Sequence, residues 1–131
     1  MATSELGLKT YEINDSLDSI VVVNALGDVP GGRTLDVSAL PAEQTVVRAG
    51  HVIIKTAAGE YKPLGISGGA YAAIASGETA VGILKASVLK TDPRAAIVTI
   101  GQINAAAAKT AVGAPYTAAI KTALPRIEFI N

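Results

Sequence analysis

The chain has 131 residues, with eleven Lys and Arg against eleven Asp and Glu and a formal net charge of zero, so its charge favours neither a nucleic-acid backbone nor an anionic membrane as partner. With no Cys and a single His, it has no thiol nucleophile, disulfide, Cys-based zinc site, Cys–His pair or multi-His metal cluster. Half of the residues are hydrophobic but only 4% are aromatic, which predicts one compact domain with an aliphatic core.

Residues 1–19 are polar and sustain neither a helical nor an alternating period, which reads as an N-terminal arm, either a frayed terminus or a segment that orders on a partner. Met1 to Lys9 lacks the continuous apolar stretch of a signal peptide, and no run approaches the length of a membrane helix. A soluble protein made in a cytoplasm is therefore expected. Ile20 to Leu26 (IVVVNAL) is a β-branched run of strand length, and Gly27 to Gly32 supplies a wide turn. Thr34 to Leu40 alternates, with Leu35, Val37 and Ala39 on one side, and predicts a half-buried strand closed by Pro41. His51 to Thr56 (HVIIKT) is a further strand. Ala57 to Glu60 then reads as a hairpin connection into Tyr61-Lys62-Pro63-Leu64.

Gly65 to Gly69 is a loop that lacks the Lys-Ser or Lys-Thr pair and the glycine spacing of phosphate and dinucleotide sites. Ala70 to Ala75 is ambiguous between helix and strand. Thr79 to Leu84 and Ala96 to Ile103 are strands, separated by a turn at Asp92-Pro93, and Gly82 and Gly101 within them predict bends or close backbone approaches. Asn104 to Ala111 and Tyr116 to Leu124 are Ala-rich and predict helices, the second stopped by Pro125. Arg126 to Ile130 closes the chain as a strand. The fold class expected is mainly β: a small barrel- or tulip-like single domain over residues 20–131, with a short Ala-rich helix near its C-terminus.

Catalytic signals are sparse. His51 has no evident orienting acid or nucleophile, so a structural or surface role is expected of it. The acids are scattered, and few aromatics are present to stack on a sugar. Tyr61, Tyr71 and Tyr116, with Tyr11, are spread along the chain and read as interface or core-edge residues whose hydroxyls reach water. The basic residues recur singly, as on a solvated surface. A neutral, apolar-rich chain of this kind is expected to pack against something.

From residue 45 onward the order of features resembles that of the lambda-type phage head decoration proteins. The residues that carry it are Val46-Val47-Arg48-Ala49-Gly50-His51-Val52-Ile53, the turn glycine Gly59 with Tyr61-Lys62-Pro63-Leu64, and above all Gly77-Glu78-Thr79-Ala80-Val81-Gly82-Ile83-Leu84. Ala96 to Gly101, the Ile103-Asn104 step, the Ala-rich helix and the closing strand follow in the same order. The region before Val46 is longer than that family's arm and holds two expected strands. Pro125 also interrupts the passage from helix to strand.

The resemblance implies a structural virion protein, not an enzyme, with no cofactor. It would be made in the host cytoplasm and bind the outer surface of an expanded icosahedral capsid as a homotrimer. The major capsid protein and other copies of the chain would be its partners, with no role for nucleic acid or membrane. Leu6, Leu8, Tyr11 and Ile13 of the arm and Tyr61, Tyr71 and Tyr116 of the domain are the interface residues this reading singles out. Two alternatives stand beside it: the base of a trimeric head fibre that carries a receptor- or glycan-binding partner, and a small carboxylate-dependent hydrolase. The second would need two acids a few ångströms apart in a pocket.

Overall fold

A computed structural model of the chain describes residues 16–130. A single helical turn, α1 (Asp18–Val21), opens the described chain, with Ile20 and Val21 both donating their backbone N–H to Leu17 O at 3.0 Å. Then come β1 (Val22–Asp28), β2 (Arg33–Thr34), β3 (Val46–Val47), β4 (Val52–Lys55), β5 (Tyr61–Pro63), β6 (Ile66–Ser67) and β7 (Ala70–Tyr71). The second half holds β8 (Thr79–Leu84), β9 (Val88–Leu89), β10 (Arg94–Ala95) and β11 (Ile97–Asn104). The chain finishes with α2 (Ala105–Val112), α3 (Ala118–Ala123) and β12 (Ile127–Ile130). The fold is mainly β with short helices, as the composition of the strands predicts.

The main sheet runs β1-β11-β8-β4-β5, with β12 also paired to β11. Because Val98 pairs both Asp28 and Ile83, and Gly101 pairs both Ala25 and Ile127, β1 holds one edge of β11 while β8 and β12 share the other. Three two-stranded ladders, β2 with β10, β3 with β9 and β6 with β7, complete the β structure. The central strands are apolar on both faces, which is why they read as continuous β-branched runs. Along β4, Val52 and Ile54 enter one core and Ile53 the other; along β8, Ile83 and Leu84 divide in the same way. The larger core also takes Val21, Tyr71, Ala108, Tyr116 and Ile120, and the smaller takes Leu35, Val47 and Ala95.

Gly82 and Gly101 sit where the sequence places close approaches. A Cβ on Gly82 would overlap Val98 O, and one on Gly101 would overlap Asn24 O. The ladder between β4 and β8 shifts register beside Gly82, where Val81 is the extra residue. The helices also fall where expected: Asn104 Oδ1 accepts from Ala107 N–H, Thr117 Oγ1 accepts from Ile120 N–H, and Gly113 ends α2 at φ 91°.

Three expectations are corrected. Ile20 and Val21 are helical, because Ser87 donates its backbone N–H and hydroxyl to the Asp18 carboxylate, both at 2.7 Å, and ties this turn to the domain. Residues 16–19, read with the arm, thus belong to the folded unit, while residues 1–15 lie outside the described chain. The alternation from Thr34 to Leu40 does not continue as a strand beyond the bridge of Leu35 to Tyr61. Asp36 Oδ1 accepts from both the backbone and the hydroxyl of Ser38 and turns the chain there. Gly65 to Gly69 is not plain loop, since Ile66–Ser67 is β6 and Gly68 and Gly69, at φ 62° and 76°, join it in a tight hairpin to β7, which makes strand of Ala70–Tyr71.

Candidate interaction surface

The exposed large hydrophobic residues among the described residues are Ile20, Val23 and Leu26, at 48%, 52% and 69% exposure. All three fall within seven consecutive positions on α1 and β1, at one end of the main sheet. Register explains why Val23 and Leu26 point outward. Val22 pairs Ile103, Asn24 pairs Gln102, Ala25 pairs Gly101 and Gly27 pairs Ile100, so Val23 and Leu26 are extra residues with no partner on β11. These two bulges lift their side chains off the ladder. They also turn the period of the strand from two to three, so that Val22, Ala25 and Asp28 share one face. Val22 and Ala25 accordingly line the same open cavity, of about 420 Å³, with Lys85.

No charge or proline occurs from residue 19 to 27, so that of the usual devices that protect a free strand edge this stretch carries only its two bulges. The other end of the sheet is covered. Leu35 bridges Tyr61 there, and Asp36 N–H donates to Tyr61 O at 2.8 Å. Tyr61 itself is half-buried, with the Arg33 guanidinium 5.5 Å and the Lys55 ammonium 5.6 Å from its ring centre.

Tyr71 and Tyr116 are core residues, and their hydroxyls do not reach water as the sequence reading expects. Tyr116 Oη donates to Gly50 O at 2.6 Å, and Tyr71 Oη accepts from Val52 N–H at 3.4 Å. Burial raises the pKa of both phenols above the usual value. The two rings stack 6.2 Å apart, and Phe129 tilts against Tyr116 at 4.8 Å. His51 stands edge-on to Tyr71, its Nε2 donating to Leu64 O at 2.7 Å, and burial holds its pKa below the ordinary range. The structural role expected of His51 matches this setting. Leu6, Leu8, Tyr11 and Ile13 lie outside the described residues.

Several carboxylates are already engaged: Asp18 with Ser87, Glu78 with Lys62 at 2.9 Å, and Asp92 with Arg94 at 2.8 Å. Asp36 and Glu60 line one open concavity with Arg33 and Tyr61, but the Ser38 hydrogen bonds hold the Asp36 pKa below the usual range and favour its ionised form. Among the described residues no group of three or more His, Cys, Asp or Glu is placed to hold a metal ion.

The three exposed apolar residues escape the sequence reading. A run such as IVVVNAL marks a strand, but the bulges that decide which members face water arise from pairing with β11. Compared with protein-family models, curated proteins and solved structures, the chain matches none.

Proposed function

We propose that this chain is a structural virion protein that binds the outer surface of an icosahedral phage capsid as trimers and stabilises the expanded shell. The observation that carries the reading is the ordered resemblance to the lambda-type head decoration proteins from residue 45 onward, centred on Gly77 to Leu84. Those residues lie on β3, β4, β5, β8, β11, α2 and β12, in chain order. The reading includes a barrel- or tulip-like closure of the β elements, the major capsid protein as partner, and no catalytic step. Cementing needs many modest contacts repeated at every copy, whose sum stabilises the lattice. A small aliphatic domain with an apolar surface strand suits that task.

Cosedimentation of the purified chain with expanded and unexpanded phage heads tests it. Saturable binding at a fixed ratio to the major capsid protein, confined to expanded heads, is the expected result, and binding to neither form overturns the reading. A chain lacking residues 1–15 should keep its β-type circular dichroism and lose capsid occupancy. Full occupancy by that truncated chain would remove the arm from the proposal.

A further inference from the structure

We infer that β1 is a self-association surface that takes β1 of a second copy of this chain, antiparallel, about a two-fold axis near Ala25. The strand ends the sheet and carries Val23 and Leu26, two of the three exposed large hydrophobic residues, with Ile20 just before it on α1, and no charge occurs from residue 19 to 27. A strand edge is self-complementary under a two-fold axis, and such a contact closes at two copies instead of growing into a fibre.

The period of three points to a copy of the chain as occupant. In an antiparallel pair centred on Ala25, Val22 of each copy faces Asp28 of the other, and both belong to the face that carries Ala25. Val22 lines the same cavity as Lys85. The pairing therefore brings the Asp28 carboxylate of one copy to the Lys85 ammonium of the other, twice per dimer. Among the described residues neither Asp28 nor Lys85 is in an ion pair within its own chain. Asp18 of the same chain also lines that cavity, but its carboxylate is taken by two donors from Ser87; a second copy adds Asp28 as a further acid, which an unrelated partner would have to supply by chance.

The bulges at Val23 and Leu26 limit the length of regular ladder, and a single seven-residue strand is a small interface. Association should therefore be weak in solution, with a dissociation constant of about 1–100 µM. Where many copies are held side by side, the same contact gains from their high local concentration. The inference does not rest on capsid binding. On a shell, the contact would join copies from neighbouring trimers across a local two-fold axis.

The absence of Cys from the chain makes the test direct. Ala25→Cys in the full chain should form a disulfide-linked dimer under mild oxidation, while Ala58→Cys in the exposed β4–β5 turn should not. Sedimentation equilibrium of the unmodified chain should show a monomer–dimer equilibrium. Leu26→Asp, Asp28→Lys and Lys85→Asp should each weaken it roughly tenfold or more, and the double exchange Asp28→Lys with Lys85→Asp should restore it. A chain that stays monomeric to about 100 µM with no Ala25→Cys cross-link overturns the inference. So does an oligomer that Leu26→Asp leaves intact, or a double exchange that fails to restore association. Cosedimentation with phage heads reads the capsid proposal separately from all of these.

Discussion

His51 is a buried polar side chain, and its setting makes it a titration point for the fold. Its Nε2 donates to Leu64 O and its ring lies edge-on to Tyr71, so protonation would put a charge into an apolar space. Desolvation lowers its folded pKa below the ordinary 6.5. The unfolded chain therefore binds the proton first as pH falls. Stability from this group is complete above 6.5 and is lost as pH falls from there through the folded pKa. Thermal midpoints measured from pH 7 to pH 5 should fall, and the slope should flatten in His51→Gln. The carboxylates held below their usual range, Asp36, Glu78 and Asp92, act at lower pH and leave this window to the histidine. Tyr116 gives a second residue-scale test. Tyr116→Phe keeps the ring stack but leaves the buried Gly50 carbonyl without its 2.6 Å donor. A loss of about 1–3 kcal/mol in urea unfolding is expected.

At the scale of elements, sequence and structure agree best where local chemistry and tertiary packing demand the same thing. β8 occupies Thr79–Leu84, as its β-branched run predicts, and α2 starts after Asn104, whose side chain caps it. Asn104→Ala should therefore cost about 1 kcal/mol of thermal stability through the lost cap. Gly82 was legible as a bend because glycine inside a β run marks a close approach. The partner atom, Val98 O, was not legible because it lies on another strand. Gly82→Ala forces a methyl group into that carbonyl, and a loss of about 3 kcal/mol or a locally opened β8–β11 ladder is expected, read by amide hydrogen exchange. Agreement fails where a side chain distant in sequence or a short polar turn overrides the pattern. Ser87 bonds Asp18 across 69 positions and holds α1 helical, and Asp36 turns the chain at Ser38 despite the alternation on either side. The exposed residues of β1 follow the same logic. Their strand was readable, but the bulges that expose Val23 and Leu26 belong to its pairing with β11.

The main sheet lies between two apolar cores, and the start of the described chain plugs the larger of them. Val21 has no exposure, and its Cγ1 and the Cβ of Ala108 would each lie 2.9 Å from a Cβ placed on Gly50. Gly50, at φ 94°, thus lets α1 and α2 close over the sheet at a point where no side chain fits. Tyr116, in the same core, fixes the same spot through its hydrogen bond to Gly50 O. This convergence makes residues 16–21 part of the domain's stability and not a detachable lead-in. Burying Val21 contributes about 2 kcal/mol, and the Asp18 carboxylate with its two donors from Ser87 adds about 1–3 kcal/mol. A domain of this size is stable by about 5–15 kcal/mol in total. Compared with a chain beginning at Ser16, one beginning at Val22 should melt at least about 10 °C lower. Its amide protection should fall first around Gly50 and along α2. If the two truncated chains melt together, the larger core does not depend on the α1 plug, and the hydrogen bonds of Ser87 to Asp18 add nothing to the stability of the sheet.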